Sequence, residues 1–344
     1  MALAIIGIDK QTVAPSAGAA YRDERSAYLA GELFSIETDP AMVQLLKELK
    51  DDPKIDGDNK RAVELYYKQA MDTMCIPKDE FIAYQKLRDE SFDAWINAKS
   101  QSDYSIFEPY LKKIIEVSKK MYRYRNSDKN LYDQMLDDYE PGMTQEKYDV
   151  FFAALKERLV PLIQKITQAK QKNEAFLHQE FPIEDQKKFM TQLLEYLHFD
   201  SSWGYQNESE HPFTSWTCEN DCRTTTKYVK NDVVSAVLST VHEVGHAYYE
   251  HDVDPKYDGM ILSEGISSGM HESQSRLCEN YLARTTAFWT YHYPRLQETF
   301  PTQLDNVSFD EFYEAINVAK PSFVRTEADE LTYPLHVLVR YEIE

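Results

Sequence analysis

The sequence predicts a mainly α-helical protein with one small β-ribbon, and three observations predict it. Apolar residues recur every three or four positions through most of the 344 residues, the spacing that lines them up on one helical face. Aromatic residues make up 13% of the chain against only 10 glycines, a composition suited to long helices with bulky packing faces. Between Asp200 and Asp232 the helical period is lost and Trp, Tyr, Thr, Asn and Ser take over, which suits short paired strands.

Taken in order, helical spacing runs through Tyr28 to Leu49, Ala62 to Met74, Phe81 to Ala98, Phe107 to Tyr124, Lys147 to Phe176 and Ile183 to Phe199. Pro53-Lys54, Pro77, Tyr139-Glu140-Pro141-Gly142 and Pro182 break the run between helices, and Pro161 is expected to kink the fifth. After the ribbon, Asn231 and Asp232 are good N-cap types for a helix with an apolar stripe at Val234, Val237, Leu238, Val241 and Gly245. Gly245 costs that helix roughly 0.5–1 kcal/mol against Ala, so another backbone is expected to pass close beside it. Ser267 or Ser268 can cap a following helix, and a last one begins near Thr332.

The formal net charge of −20 and pI near 4.9 would repel a polyphosphate, which argues against a nucleic acid partner. Cys75, Cys218, Cys222 and Cys278 form no dense disulfide pattern; free thiols in a reducing cytoplasm are expected. The apolar stretch Met1 to Ile8 is too short for a signal peptide or a membrane span and lacks a basic start. A cytoplasmic protein with no membrane partner is the expectation.

His242-Glu243-Val244-Gly245-His246 carries the chemistry. Residues four apart share a helical face with Cβ atoms roughly 5–6 Å apart, so both imidazoles can reach one Zn²⁺ at about 2.0–2.1 Å. Glu243 points aside, placed to take a proton from a metal-activated water. A catalytic zinc takes a third protein ligand, and Glu250, Glu264, Glu272 and Glu279 are the candidates. Glu250 is nearly collinear with the pair and reads better as a solvated charge. Glu272 is favoured over Glu264 because the capped helix would carry it, with Arg276 one turn on to hold its carboxylate; His271 is the rival ligand.

Gly269-Met270-His271-Glu272-Ser273-Gln274-Ser275-Arg276 after H-E-V-G-H resembles the carboxypeptidase Taq family of zinc metallocarboxypeptidases. His211-Pro212-Phe213 and Asp221-Cys222-Arg223-Thr224-Thr225, which fits D-x-R-x-T, are further marks of that family, as are Val324 to Val337, Asp138 to Gly142 and Trp95 to Pro109. The resemblance implies a multi-helical, saddle-like metallopeptidase fold related to neurolysin-type enzymes, with the β-ribbon near the active site. It implies His242, His246 and Glu272 as ligands of one Zn²⁺ per chain, Glu243 as general base, peptide substrates trimmed from the C-terminus with broad preference, and a homodimer.

A single catalytic domain over 1–344 is expected, 1–199 as helical scaffold and 200–344 as active-site segment. Set against the family, the chain is expected to be incomplete at both ends, exposing Leu335, Leu338, Val339 and Ile343 on its last helix. An enzyme that recognises a C-terminal carboxylate needs a fixed cation, and Arg forms a bidentate pair with it. Arg325 is the favoured clamp, with a salt bridge to Glu327, Asp329 or Glu330 as its alternative; Arg223, His211, Asp221 and Thr225 are expected to shape the substrate groove, and Arg276 and His271 to support the ligands. Two other readings stay open: a neurolysin-like endopeptidase, and a non-catalytic metal- or peptide-binding remnant.

Overall fold

A computed structural model describes residues 1–218 and 220–344. The described chain divides into two compact units. One comprises 1–141 with 216–218 and 253–266; the other comprises 142–215, 220–252 and 267–344.

The first unit is built from α1 (Ala2–Gln11), α2 (Ala19–Glu37), α3 (Pro40–Asp51), α4 (Gly57–Met74), α5 (Lys78–Gln101), α6 (Glu108–Tyr124) and α7 (Leu131–Tyr139). The single helix expected from Tyr28 to Leu49 is two, because Pro40 cannot continue a helix and Asp39 starts a new one by accepting from the amides of Ala41 and Met42 at 2.9 and 3.1 Å. Small residues bring α2 and α5 together: Ala27, Ala30, Ala94 and Ala98 are buried, and a Cβ on Gly31 would lie 2.8 Å from Ile82.

The second unit begins with α8 (Gln145–Gln168) and α9 (Ile183–Tyr196). Pro161 lies inside α8 without interrupting it, and the helix stops at Gln168 rather than near Phe176. Three strands follow, β1 (Gly204–Glu208), β2 (Thr214–Cys218), whose residues 216–218 are counted with the first unit, and β3 (Asp221–Thr226), in the order β1-β3-β2. The expected ribbon is thus a three-stranded sheet whose β1 and β3 run parallel, in register from Gly204 opposite Cys222 to Glu208 opposite Thr226. The loop between β1 and β2 makes that pairing possible by folding onto the end of β3, where Ser209 N donates to Thr226 O (3.1 Å) and Phe213 N to Thr225 Oγ1 (2.9 Å).

The remaining helices are α10 (Val233–His251), α11 (Ser268–Arg276), α12 (Thr286–Thr299), α13 (Pro301–Leu304), α14 (Phe309–Ile316) and α15 (Tyr333–Ile343), with a π-helical turn over Leu277–Leu282. Asp232 caps α10 by accepting from Ser235 N at 2.9 Å. Val233, Ala236, Val237 and Val241 of α10 are completely buried in a core shared with Phe189 and Leu193 of α9, Phe288, Trp289 and Leu296 of α12, and Phe312 of α14. On α15, Val339 and Ile343 are exposed as expected, whereas Leu338 is buried.

Candidate metal and peptide site

The site lies within the second unit and starts from α10. Because α10 is sealed into the core along its valine stripe, its next face presents His242 and His246, each with 15% of the side chain exposed. The two rings stand edge to face, with centroids 4.9 Å apart. Gly245 makes the approach of α11 possible, since a Cβ there would lie 2.8 Å from Ser275 Cα and 3.0 Å from Gln274 O. Ser267 caps α11, accepting from Met270 N at 3.1 Å. The helix so fixed points Glu272 at the histidines: its Oε2 is 3.7 Å from His242 Nε2 and 3.4 Å from His246 Nε2.

Ligand atoms of His242, His246 and Glu272 lie within 4.8 Å of one another, and among the described residues this is the group of three or more His, Cys, Asp and Glu able to hold a metal ion. The donor chemistry fits a divalent ion, because both imidazoles use Nδ1 for hydrogen bonds and turn Nε2 toward the carboxylate. Burial would push the Glu272 carboxyl up, but the His246 contact, His242 and Arg276 outweigh it and hold it at about 2. Arg276 Nε donates to Glu272 Oε1 at 3.0 Å.

Glu243, 5% exposed, has its carboxyl pushed up by burial, against the lowering effect of His242 and of the Thr214 hydroxyl. Thr214 Oγ1 lies 2.6 Å from Glu243 Oε2 and 2.9 Å from Glu243 O, tying the start of β2 to α10. Thr214 was missed in the sequence, although it directly follows His211-Pro212-Phe213.

Glu279 and Glu250 take places that sequence reasoning did not give them. Glu279 Oε2 meets His242 Nδ1 at 2.8 Å and accepts from Arg276 Nη1 at 3.0 Å. It sits in the π-helical turn after α11, out of the phase of ordinary helical spacing. Glu250 is no solvated charge: its side chain is 14% exposed and its Oε1 meets His271 Nε2 at 2.6 Å. His271 Nδ1 meets His246 Nδ1 at 2.6 Å, so both ring nitrogens of the rival ligand are already engaged. Glu264 falls in the first unit, outside this constellation.

The H-P-F and D-x-R-x-T segments meet each other. Thr225 is 1% exposed, and its hydroxyl lies 2.6 Å from Ser209 Oγ, which donates to His211 O at 2.6 Å. Thr225 therefore holds the loop and is too buried to touch a peptide. Arg223 pairs through two nitrogens with Asp221 at 2.9 and 3.0 Å on β3. β3 packs against α10, where Thr226 Oγ1 donates to Ala236 O at 3.3 Å. Among the described residues Arg325 is in no salt bridge with Glu327, Asp329 or Glu330. It donates from Nη1 to the Tyr333 hydroxyl at 2.9 Å, and the Arg276 guanidinium sits 3.8 Å from the centre of the same ring. Arg325, Tyr333, Arg276 and Glu272 thus form one connected row.

Comparison with known proteins gives the family. Residues 1–344 match the family described as carboxypeptidase Taq (M32) metallopeptidase. Carboxypeptidase 1 of Bacillus subtilis is 41% identical over 347 residues, covering 100% of this chain and 69% of that protein. Thermostable carboxypeptidase 1 of Thermus thermophilus is 33% identical over 354 residues, covering 99% and 69%. Among solved structures, the crystal structure named BsuCP superposes with a TM-score of 0.96 at 40% identity, and Pyrococcus furiosus carboxypeptidase with 0.90 at 30%, each covering 99% of this chain and 69% of the other. The chain belongs to the carboxypeptidase Taq family of metallopeptidases.

Proposed function

We propose that this metallopeptidase releases C-terminal residues from peptides, using one Zn²⁺ held by His242, His246 and Glu272. The observation that carries the reading is the convergence of two Nε2 atoms and one carboxylate oxygen within 4.8 Å beside a buried glutamate. When bound, the ion supplies Lewis acidity that polarises the scissile carbonyl and acidifies a water. Glu243 takes the proton of the attacking water and returns it to the leaving amine; burial raises its basicity toward that task. Thr214 holds one oxygen of that carboxylate, leaving the other for the water.

Arg325 binds the substrate's terminal carboxylate, its guanidinium aimed by Tyr333. Arg223, held by Asp221, shapes the groove wall with His211, and Thr225 fixes their loop. Relatives named carboxypeptidase weigh against the endopeptidase and remnant readings. A homodimer follows the family resemblance, and four free cysteines suit a reducing cytoplasm. No helix among the described residues is long and apolar enough to cross a membrane.

The test is a matched pair of peptides, one with a free C-terminal carboxylate and one amidated. Loss of the charge-assisted pair should cost about 1.5–3 kcal/mol in kcat/KM, roughly ten- to over a hundredfold, whereas blocking the N-terminus should change little. Equal cleavage of acid and amide would support an endopeptidase instead.

A further inference from the structure

The two imidazoles are backed by different devices. His242 Nδ1 meets a carboxylate directly, that of Glu279. His246 Nδ1 meets a second imidazole, His271, which only then reaches a carboxylate, that of Glu250. Both links in this second arm are 2.6 Å.

With Glu250 ionised and His271 neutral, the hydrogen bonds assign the protons as follows. An ionised carboxylate only accepts, so His271 Nε2 carries the proton it shares with Glu250. The other nitrogen of a neutral imidazole is an acceptor, so His271 Nδ1 accepts and His246 Nδ1 donates. His246 is then left with its lone pair on Nε2, the atom 3.4 Å from Glu272 Oε2. Packing fixes the intermediate ring: Tyr249 stands edge-on to His271 at 5.0 Å between centroids, and His271 lies 4.6 Å from the His246 ring. Glu250 follows His246 by one turn on α10, so the arm closes on the helix that bears the ligand.

We propose that His271 and Glu250 form a positioning relay that fixes the tautomer and orientation of His246 and so strengthens binding of a divalent cation. The proposal rests on the reading of His246 as a ligand. The relay acts through His246, and neither of its members touches the cation.

The experiment uses metal-free protein and Zn²⁺ alone, with affinity measured by competition against a chromophoric chelator. Glu250→Ala and His271→Phe should each raise the zinc Kd about 10–100-fold, with one zinc per chain still bound at saturation and the far-UV spectrum unchanged. His271→Asn, whose amide oxygen can accept from His246 Nδ1, should recover most of the affinity. Nitrogen-15 spectra of metal-free protein at one fixed pH should show His246 protonated on Nδ1, and a mixture of tautomers in Glu250→Ala. Wild-type zinc affinity in Glu250→Ala and in folded His271→Phe would overturn the relay; should His271→Phe not fold, Glu250→Ala decides alone. His246→Ala tests the underlying reading separately: stoichiometric zinc in that variant would remove His246 as ligand, whatever the relay variants do.

Discussion

The two compact units solve the problem of packing helices in different ways. Most buried apolar positions of the first unit are alanines, among them Ala27, Ala30, Ala62, Ala70, Ala94 and Ala98. In the second unit the valines and alanine of α10 are packed against Phe181, Phe189, Met190, Leu193, Phe288, Trp289, Leu296, Phe300, Leu304 and Phe312, all at 1% exposure or less. Alanine seams let backbones approach closely but remove little apolar surface per residue from water, whereas a Phe or Trp buries 150–250 Å². The candidate metal-binding face of α10 belongs to the aromatic unit. Large interlocking side chains anchor α10 on its core side, while a small residue, Gly245, admits α11 on the side of the candidate site.

The contrast breaks first under truncation. Trp289→Ala should destabilise by about 3–5 kcal/mol and lower zinc occupancy, whereas Ala94→Gly in the first unit should cost roughly 1 kcal/mol. Denaturant unfolding of both variants checks this, and equal costs would erase the distinction between the units.

Acid sharpens the comparison. His292 is 2% exposed among Phe189, Tyr196, Phe288 and Tyr291, and burial, aided by Arg295, pushes its pKa down to about 4. The unfolded chain binds this proton near pH 6.5 and the folded one near 4, so the contribution to stability is complete above 6.5. It falls as pH drops through that window, by at most about 1.4 kcal/mol per pH unit. His292→Phe should flatten the pH dependence of unfolding between 6.5 and 4; an unchanged slope would show that the group titrates normally.

Two glycines give smaller and opposite effects. Gly245→Ala forces a Cβ to within 2.8 Å of Ser275 Cα, and should cost about 1–3 kcal/mol and weaken zinc binding by moving α11. Gly7→Ala, within α1 and with nothing inside 4 Å of the new methyl, should stabilise by roughly 0.5–1 kcal/mol. Thermal melts with and without added zinc separate them, and stabilisation by both would mean that α10 and α11 are not tightly apposed.

What was legible in the sequence was local. The metal helix, its Asp232 cap, the close passage at Gly245 and the Ser267 cap ahead of Glu272 all follow from spacings of a few residues. The break at Pro40 was equally local but was overrun by an apolar period that continues across it. Partnerships between segments were not legible. Glu279 sits in the π-helical turn after α11, where side chains no longer follow the 3.6-residue phase, so its meeting with His242 could not be read from helical spacing. Glu250 looked solvated on α10 alone and is covered only once His271 arrives from α11. The parallel pairing of β1 and β3 depends on a loop fold, not on alternation within either strand.

On the proposed reading, His246 as ligand and Glu243 as base are separate side chains on one preset helix. Zinc content per chain, measured alongside peptide hydrolysis in Glu243→Gln and His246→Ala, tests it most directly. Glu243→Gln should keep one zinc and lose hydrolysis by about 10²–10⁴-fold, while His246→Ala should lose stoichiometric zinc and activity together. Loss of zinc in Glu243→Gln, or full turnover with stoichiometric zinc in His246→Ala, would contradict it.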